Sequence, residues 1–380
     1  MTEDIVSSTH PPLPPTTEDE RLYRLRLLRS RRVGIATYYR LMAEHKTARA
    51  AFEALPEIAR QAGINDYTPC PEPVALAELR SGRDAGARLI WRGSPEWPIG
   101  LDDLSDPPPM LWCVGDLALM QRPAIAMVGA RSASSLGLRM ARKLASDLSE
   151  QGFVIVSGLA RGIDAAAHTA SLQGGTIAVL AGGVDIIYPA ENTQIFNDIG
   201  QKGLRLSEQP IGLQPQARHF PVRNRIIAGL ARSVIIIEAA LKSGSLITAD
   251  AALSLGREVG AVPGHPFDGR AGGCNALLRD GATLIRTAED VLSIVQAPPV
   301  SAPPPAPKPA RSTGLPQRGF QETAALHQQI LSCLGPSPVP EDQLTRDLGL
   351  PTHLIAPALV ELELDGQILR QAGGLLALCV

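Results

Sequence analysis

The chain has little of several things that would announce a function. Its 380 residues include five cysteines, Cys70, Cys113, Cys274, Cys333 and Cys379, scattered with no C-x-x-C pair and no partnering His cluster. That excludes a disulfide framework and a zinc site, and fits a reducing, cytoplasmic setting. Charge of one sign is also missing: the net charge is -2 and the pI near 6.4, so a globally basic nucleic-acid coat is excluded and any such binding must rest on a local patch. No run reaches membrane-spanning length, and the opening MTEDIVSSTHPPLPP has no apolar core of signal-peptide length. The expectation is a cytoplasmic protein with no membrane partner. No nucleophile, base and orienting group line up, and neither paired carboxylates nor a metal-ligand set occurs. No catalytic residue, metal or cofactor is therefore expected. Aromatic residues are only 4% of the chain, and the core needs some of them.

Hydrophobic residues, in contrast, make up 44%, enough for two or three domains with an ample core. Residues 1–16 read as a disordered lead-in. Residues 17–86 read as a small all-α module with helices over Glu20–Arg29, Gly34–His45, Thr47–Leu55, Pro56–Ala62 and Pro73–Arg83. Between Arg21 and Arg49 that module carries nine Lys or Arg residues against one acid, Glu44. Such a run is a solvated helix face or a nucleic-acid surface, and the Val33-Gly34-Ile35 turn could be half of a helix-hairpin-helix.

Residues 87–296 begin with a Pro- and Trp-rich approach containing a strand at Met110–Val114, and then alternate strand and helix. The strands expected are Ile125–Val128, Val154–Ser157, Thr176–Ala181, Leu204–Ser207, Val234–Glu238, Glu258–Val262 and Thr283–Ile285. The intervening helices include Ser135–Gln151, Asp164–Gln173, Glu191–Gly200, Asn224–Ala231 and Leu246–Leu255. Regular alternation of this kind predicts an α/β, extended Rossmann-like, doubly wound parallel sheet. Residues 297–318 form a Pro/Ala linker. Residues 319–380 read as helices over Gln321–Leu334, Pro340–Leu348 and Thr352–Asp365, followed by a hairpin of Gln367–Gln371 and Leu375–Leu378 turned at Gly373-Gly374. That order predicts a C-terminal winged-helix domain.

In open α/β sheets, ligands bind at the carboxyl ends of the strands, so the loops there carry the functional reading. The first, VGARSASSLG, lacks the G-x-G-x-x-G spacing of a dinucleotide site. Arg131, Ser132 and Ser134 before a helix start still suit an anion, the alternative for Arg131 being a salt bridge across the sheet edge. The second is SGLARGIDAAAH: Gly158 and Gly162 permit close backbone approach, Arg161 supplies charge, and Asp164 is expected to cap the next helix. His168 reads as a packed, hydrogen-bonded side chain. In the third, AGGVDIIYPAEN, Asp185 and Tyr188 either line the crevice or close the turn. The fourth leads through Arg218, His219 and Phe220 into Arg223, Asn224 and Arg225. Cations beside one aromatic can hold a single strand by its phosphates with a base on the ring, though for Phe220 itself an anchor in the core is the stronger expectation. After the SVIIIE strand comes Ser243-Gly244-Ser245, whose backbone N–H groups at a helix start also suit a phosphate; its plain alternative is an N-cap with a turn glycine. Glu238 is expected to hydrogen-bond that turn. The loop around Gly264, Gly273 and Asn275 reads as structural.

The blocks VGARSASSLG, SGLARGID, GTIAVLAGGVDIIYP, LSEQP, HFPVRNRIIAGLA, IIIEAALKSGSLITA, GREVGAVPG and GGCNALLRDGA, in this order, resemble the DNA-processing protein A family (DprA, also called Smf). The match runs without a gap from about Trp97 to Ile285, and the flanking modules are similar in kind to those of some members. The resemblance implies an extended Rossmann domain that binds single-stranded DNA, forms a homodimer, protects incoming DNA in natural transformation and loads the RecA recombinase. Carried over by motif, it puts Arg131, Arg223, Arg225 and the Ser243–Ser245 turn in a positive pocket. Two rivals stand beside it: a nucleotide-processing hydrolase on a Rossmann fold, using Glu238, and a winged-helix transcription regulator. The second is opposed by charge, because residues 320–380 hold Arg346 and Arg370 against seven acids.

Overall fold

The computed structural model describes residues 14–296, 320–334 and 339–350 and, with gaps, 355–378. Two units divide near Pro298. The expected lead-in and Pro/Ala linker lie almost entirely outside the described residues.

In the first unit the chain opens with α1 (Glu18–Arg29), α2 (Ile35–His45), α3 (Ala48–Gln61) and α4 (Glu72–Asp84). Thr17 and Thr47 begin α1 and α3 by accepting the N–H groups of Glu20 (3.1 Å) and Ala50 (3.2 Å), the usual N-cap exchange. The sequence predicts a break before Pro56, yet α3 runs through it. An interior proline costs roughly 3 kcal/mol. Leu55 and Ile58, on either side of it, both pack with Leu27, Tyr38 and Leu41, and that shared burial holds the two halves in line.

Next come β1 (Arg88–Trp91) and β2 (Met110–Gly115), then β3 (Ala124–Val128), α5 (Ser135–Glu150), β4 (Val154–Ser157), α6 (Ile163–Ser171) and β5 (Thr176–Val179). They are followed by α7 (Thr193–Lys202), β6 (Leu204–Ser207), α8 (His219–Leu230), β7 (Ser233–Ile236), α9 (Gly244–Ser254), β8 (Glu258–Ala261), α10 (Gly272–Arg279), β9 (Thr283–Leu284) and α11 (Ala288–Gln296). One sheet holds the strands in the order β1-β2-β6-β5-β4-β3-β7-β8-β9. Strands β3 to β9 run parallel; β1 and β2 are antiparallel, a mixed edge that the regular alternation does not predict. Strand side chains alternate between faces. Ala124, Ala126 and Val128 pack with Ile226, Ile227, Ala249 and Ala252 of α8 and α9, while Ile125 and Met127 pack with Ala141, Leu144 and Leu148 of α5. Both faces are thus covered, which is why these strands read as unbroken apolar runs. The order reverses between β3 and β7, so the crevice above their carboxyl ends is the topological switch point.

The helical module is bonded to this sheet. Leu25 and Ala75 share a core with Trp91, Met110 and Trp112. Glu78 of α4 takes both Arg29 Nε and Nη2 at 2.8 Å and the indole N–H of Trp112 at 3.0 Å.

In the second unit α12 (Phe320–Cys333), β10 (Val339–Pro340) and α13 (Glu341–Leu348) precede the hairpin of β11 (Ile368–Gln371) and β12 (Leu375–Leu378). The sheet order is β10-β12-β11, one short strand more than expected, as in a winged helix. The helix expected over Thr352–Asp365 falls largely outside the described residues, and the Gly373-Gly374 turn wholly so. Among the described residues, no helix is long and apolar enough to cross a membrane.

Candidate nucleic-acid interface

Above the switch point lies a cavity of about 620 Å³ whose wall is drawn mainly from three segments, with Ala160, Asp164 and Arg270 completing it. The loop after β3 gives Arg131 and Ser132; α8 gives Phe220, Arg223 and Asn224; the turn after β7 gives Lys242, Ser243, Gly244 and Ser245. Ser243 accepts the N–H of Ser245 at 3.3 Å and so caps α9, with its Oγ 2.7 Å from that of Ser245. Asn224 Nδ2 donates to the Gly244 carbonyl at 3.3 Å and ties α8 to this turn. Exposed Arg131 lies over the ring of Phe220, 5.2 Å from its centroid.

Arg223 forms the floor. It is only 6% exposed, and its Nη1 donates to the Val179 carbonyl at 2.6 Å. Its Nε is buried without a hydrogen-bond partner. Burial brings its pKa down to about 10, against the pull of Asp164 and with a push from Arg131, so it stays charged at neutral pH. Gly158 makes room for it, since a Cβ there would sit 1.9 Å from Nη1. Asp164 was expected to cap α6, but Gly162 holds that position, at a positive φ of 75° that glycine tolerates. The Asp164 carboxylate instead accepts from the N–H groups of Gly158 (3.1 Å) and Ala160 (3.4 Å) within its own loop. Burial raises its pKa, with Arg223 the first opposing influence. His168 is fully buried against Thr176, Nδ1 to Oγ1 2.7 Å, and burial drops its pKa to about 3.

A second cavity, about 400 Å³, adjoins the first and shares Arg131 and Phe220 with it. Gly158, Arg161 and Tyr188 also line it, with the Tyr188 ring 5.6 Å from that of Phe220. Phe220 is therefore a partition between two cavities, only partly buried, and not a core anchor. Arg161 lies 3.6 Å from Glu191 in an exposed pair of little strength.

The remaining candidate residues stand elsewhere. Arg225 is two positions from Arg223, about 200° around a helix, and so points to the other side. There its Nη2 meets Glu208 at 2.5 Å and its Nε lies 3.2 Å from Asp106. Ser134 caps α5 through the Gly137 N–H at 2.9 Å and belongs to a different cavity. Arg218 and His219 lie outside the cavity walls; His219 Nδ1 accepts the Gln216 N–H at 3.1 Å at the start of α8. Glu238 does not reach the Ser243–Ser245 turn. It accepts from Ser134 N at 2.9 Å and from Ser134 Oγ, because β7 lies beside β3 and its end faces the β3 loop. Asp185 takes neither expected role, accepting instead the Gly212 N–H of the following loop at 2.9 Å. Asn275 clamps Gly264 through both its N–H and its carbonyl, as expected of a structural loop.

Sequence reasoning missed two cations at the crevice, Lys242 and Arg270. Lys242 directly precedes the Ser-Gly-Ser turn and was legible by position; Arg270, from the loop before α10, had no local signal. Among the described residues, no group of three or more His, Cys, Asp or Glu side chains could hold a metal ion.

Fold and crevice together define a class: a doubly wound Rossmann-type protein presenting guanidinium groups and helix-start N–H donors, a set suited to phosphate, at its switch point. Comparison with known proteins narrows it. The chain belongs to the family described as DNA recombination-mediator protein A, whose model matches residues 88–296. The DprA-like N-terminal HHH domain matches residues 18–81 and the DprA winged helix domain residues 296–374. It is similar to DNA processing protein DprA of Streptococcus pneumoniae, 47% identical over 52% of this chain and 70% of that one. The Bacillus subtilis DNA processing protein DprA is 44% identical over 56% and 73%. Among solved structures, the X-ray structure of the S. pneumoniae protein superposes with a TM-score of 0.61 at 35% identity, covering 73% of this chain and 98% of that one. The Helicobacter pylori DNA processing protein A, whose structure is described for its single-stranded DNA binding mode, gives 0.50 at 35% identity, covering 52% and 91%.

Proposed function

We propose that this chain binds single-stranded DNA in the switch-point crevice, protects incoming DNA in natural transformation and loads the RecA recombinase, acting as a homodimer through the α/β domain and without chemical turnover. The carrying observation is the pairing of exposed Arg131 and the Ser243–Ser245 turn over a buried, charged Arg223 whose Nε is unpartnered. Phosphate oxygens would meet those donors, and Phe220 between the two cavities offers a face for a base. The single-stranded DNA binding ascribed to the H. pylori relative supports the same ligand.

Three of the groups that could shuttle a proton are already committed. His168 is buried on Thr176, Glu238 is held by Ser134, and Asp164 is engaged by two N–H groups of its loop. The expected outcome is that nucleoside monophosphates and single strands stay chemically intact over long incubation. RecA assembly on strands pre-coated with single-strand-binding protein should become faster. Release of base or phosphate that disappears in Glu238→Gln or Asp164→Asn would replace this reading with the hydrolase.

A further inference from the structure

Beyond Arg270 the same sheet edge carries a third cavity, about 450 Å³, between the first turns of α5 and the segment that follows β8. Leu136, Met140, Ile237, Val262 and Pro263 give it an apolar wall. Two features make it more than a surface dent. Arg270 lines both this cavity and the switch-point crevice, so the two are continuous at that side chain. The loop bordering it also carries Phe267, which is 94% exposed, the most exposed large hydrophobic side chain among the described residues. That loop is braced: Asn275 holds Gly264 at 3.2 and 2.9 Å, and the N–H groups of Asp268 and Ala271 each close a turn at 2.9 Å. A bare phenylalanine on a fixed loop, with its ring 5.5 Å from that of His265, is a preformed stacking face.

Charge selects the occupant. Arg139 lines the cavity and is exposed. Arg270 is exposed and pairs within its own loop, its Nε and Nη2 each 3.0 Å from the Asp268 carboxylate, so its solvent-facing N–H groups are open to a phosphate. Of the two carboxylates present, Glu238 is held by Ser134, and Asp268 is held by both the backbone N–H (2.9 Å) and the guanidinium of Arg270. A partner with flat apolar faces and regularly spaced negative charge fits; an acidic peptide would leave the aromatic face unused.

We infer that a single strand held at the switch point continues across Arg270 into this third cavity, stacking a base on Phe267 and setting its phosphates against Arg139 and Arg270. The inference rests on the binding reading above, and two strand lengths separate the two. In the full chain, Phe267→Ala should weaken binding of an oligothymidylate of about 20 nucleotides roughly tenfold, the scale of a single base stack, and leave a strand of ~4 nucleotides unaffected. Arg131→Ala should weaken both. Phe267→Trp should keep the affinity and add an exposed reporter, because the native Trp91, Trp97 and Trp112 are 4%, 4% and 2% exposed. Its emission should be quenched by the long strand only. If Phe267→Ala binds the long strand like the parent, or Phe267→Trp is not quenched, the extension is wrong even where Arg131→Ala is impaired. If Arg131→Ala binds both lengths normally, the switch-point site itself is wrong. Quenching that follows protein concentration without DNA would assign Phe267 to a second copy of this chain and overturn the inference.

Discussion

Arg223 and Arg225 illustrate how much a position in a helix decides. Their neighbourhood in sequence suggests one cluster, but two steps along α8 send one under the crevice and the other to Glu208 and Asp106. Glu208 is itself buried, which raises its pKa, with Arg225 the main opposing influence, so the pair is a strut beneath the loop after β6. His168 is a second case where burial fixes the role. A folded pKa near 3 against 6.5 when unfolded means that the unfolded chain binds the proton first as pH falls. The stability tied to neutral His168 is therefore complete above pH 6.5 and is lost as pH drops toward 3, at up to about 1.4 kcal/mol per pH unit. His168→Asn, which can keep a partner for Thr176, should melt with a visibly shallower pH dependence in that window. Equal slopes for variant and parent would mean that His168 is not the buried neutral group described.

At the scale of elements, Glu78 joins the helical module to the sheet, pairing Arg29 within the module and taking the Trp112 indole N–H across the junction. Removing its carboxylate strands the Arg29 guanidinium and the Trp112 indole N–H together, both largely buried. Glu78→Ala should thus cost roughly 3 kcal/mol, read as a fall in denaturation midpoint, with earlier proteolytic cleavage between α4 and β1. A midpoint unchanged from the parent would show that the module is held by the Leu25 and Ala75 packing and the Arg92–Tyr39 contact without Glu78. This junction was not legible in the sequence. The strands β3 to β8 were, because each is a short, largely apolar and buried run bounded by turn or helix signals. Strand β1 was not, since RLIW is four residues in a Pro- and Trp-rich stretch and pairs antiparallel with a strand more than fifteen residues away. The candidate site was half legible for the same reason. Loops after strands gave Arg131 and Ser243–Ser245, whereas side-chain direction, which separates Arg223 from Arg225 and joins Glu238 to Ser134, depends on packing that no local pattern records.

For the whole molecule, the family models place a helical module, a Rossmann-type core and a winged helix in one chain, and only the core carries the crevice. The winged-helix stretch is acidic, and phosphate repulsion opposes its use as a groove reader. A chain ending at Ala297 should therefore keep most of the affinity for single strands; a tenfold loss with folding intact would make the winged helix a DNA reader. The most direct test of the central claim is the salt dependence of single-strand binding. Each cation taken away from a phosphate should flatten the slope of log affinity against log salt concentration by about 0.7. Arg131→Ala and Lys242→Ala should each show that change, while Arg225→Ala, if it stays folded, keeps the parent slope. Parent slopes in Arg131→Ala and Lys242→Ala, with the flattening found in Arg225→Ala instead, would contradict the account.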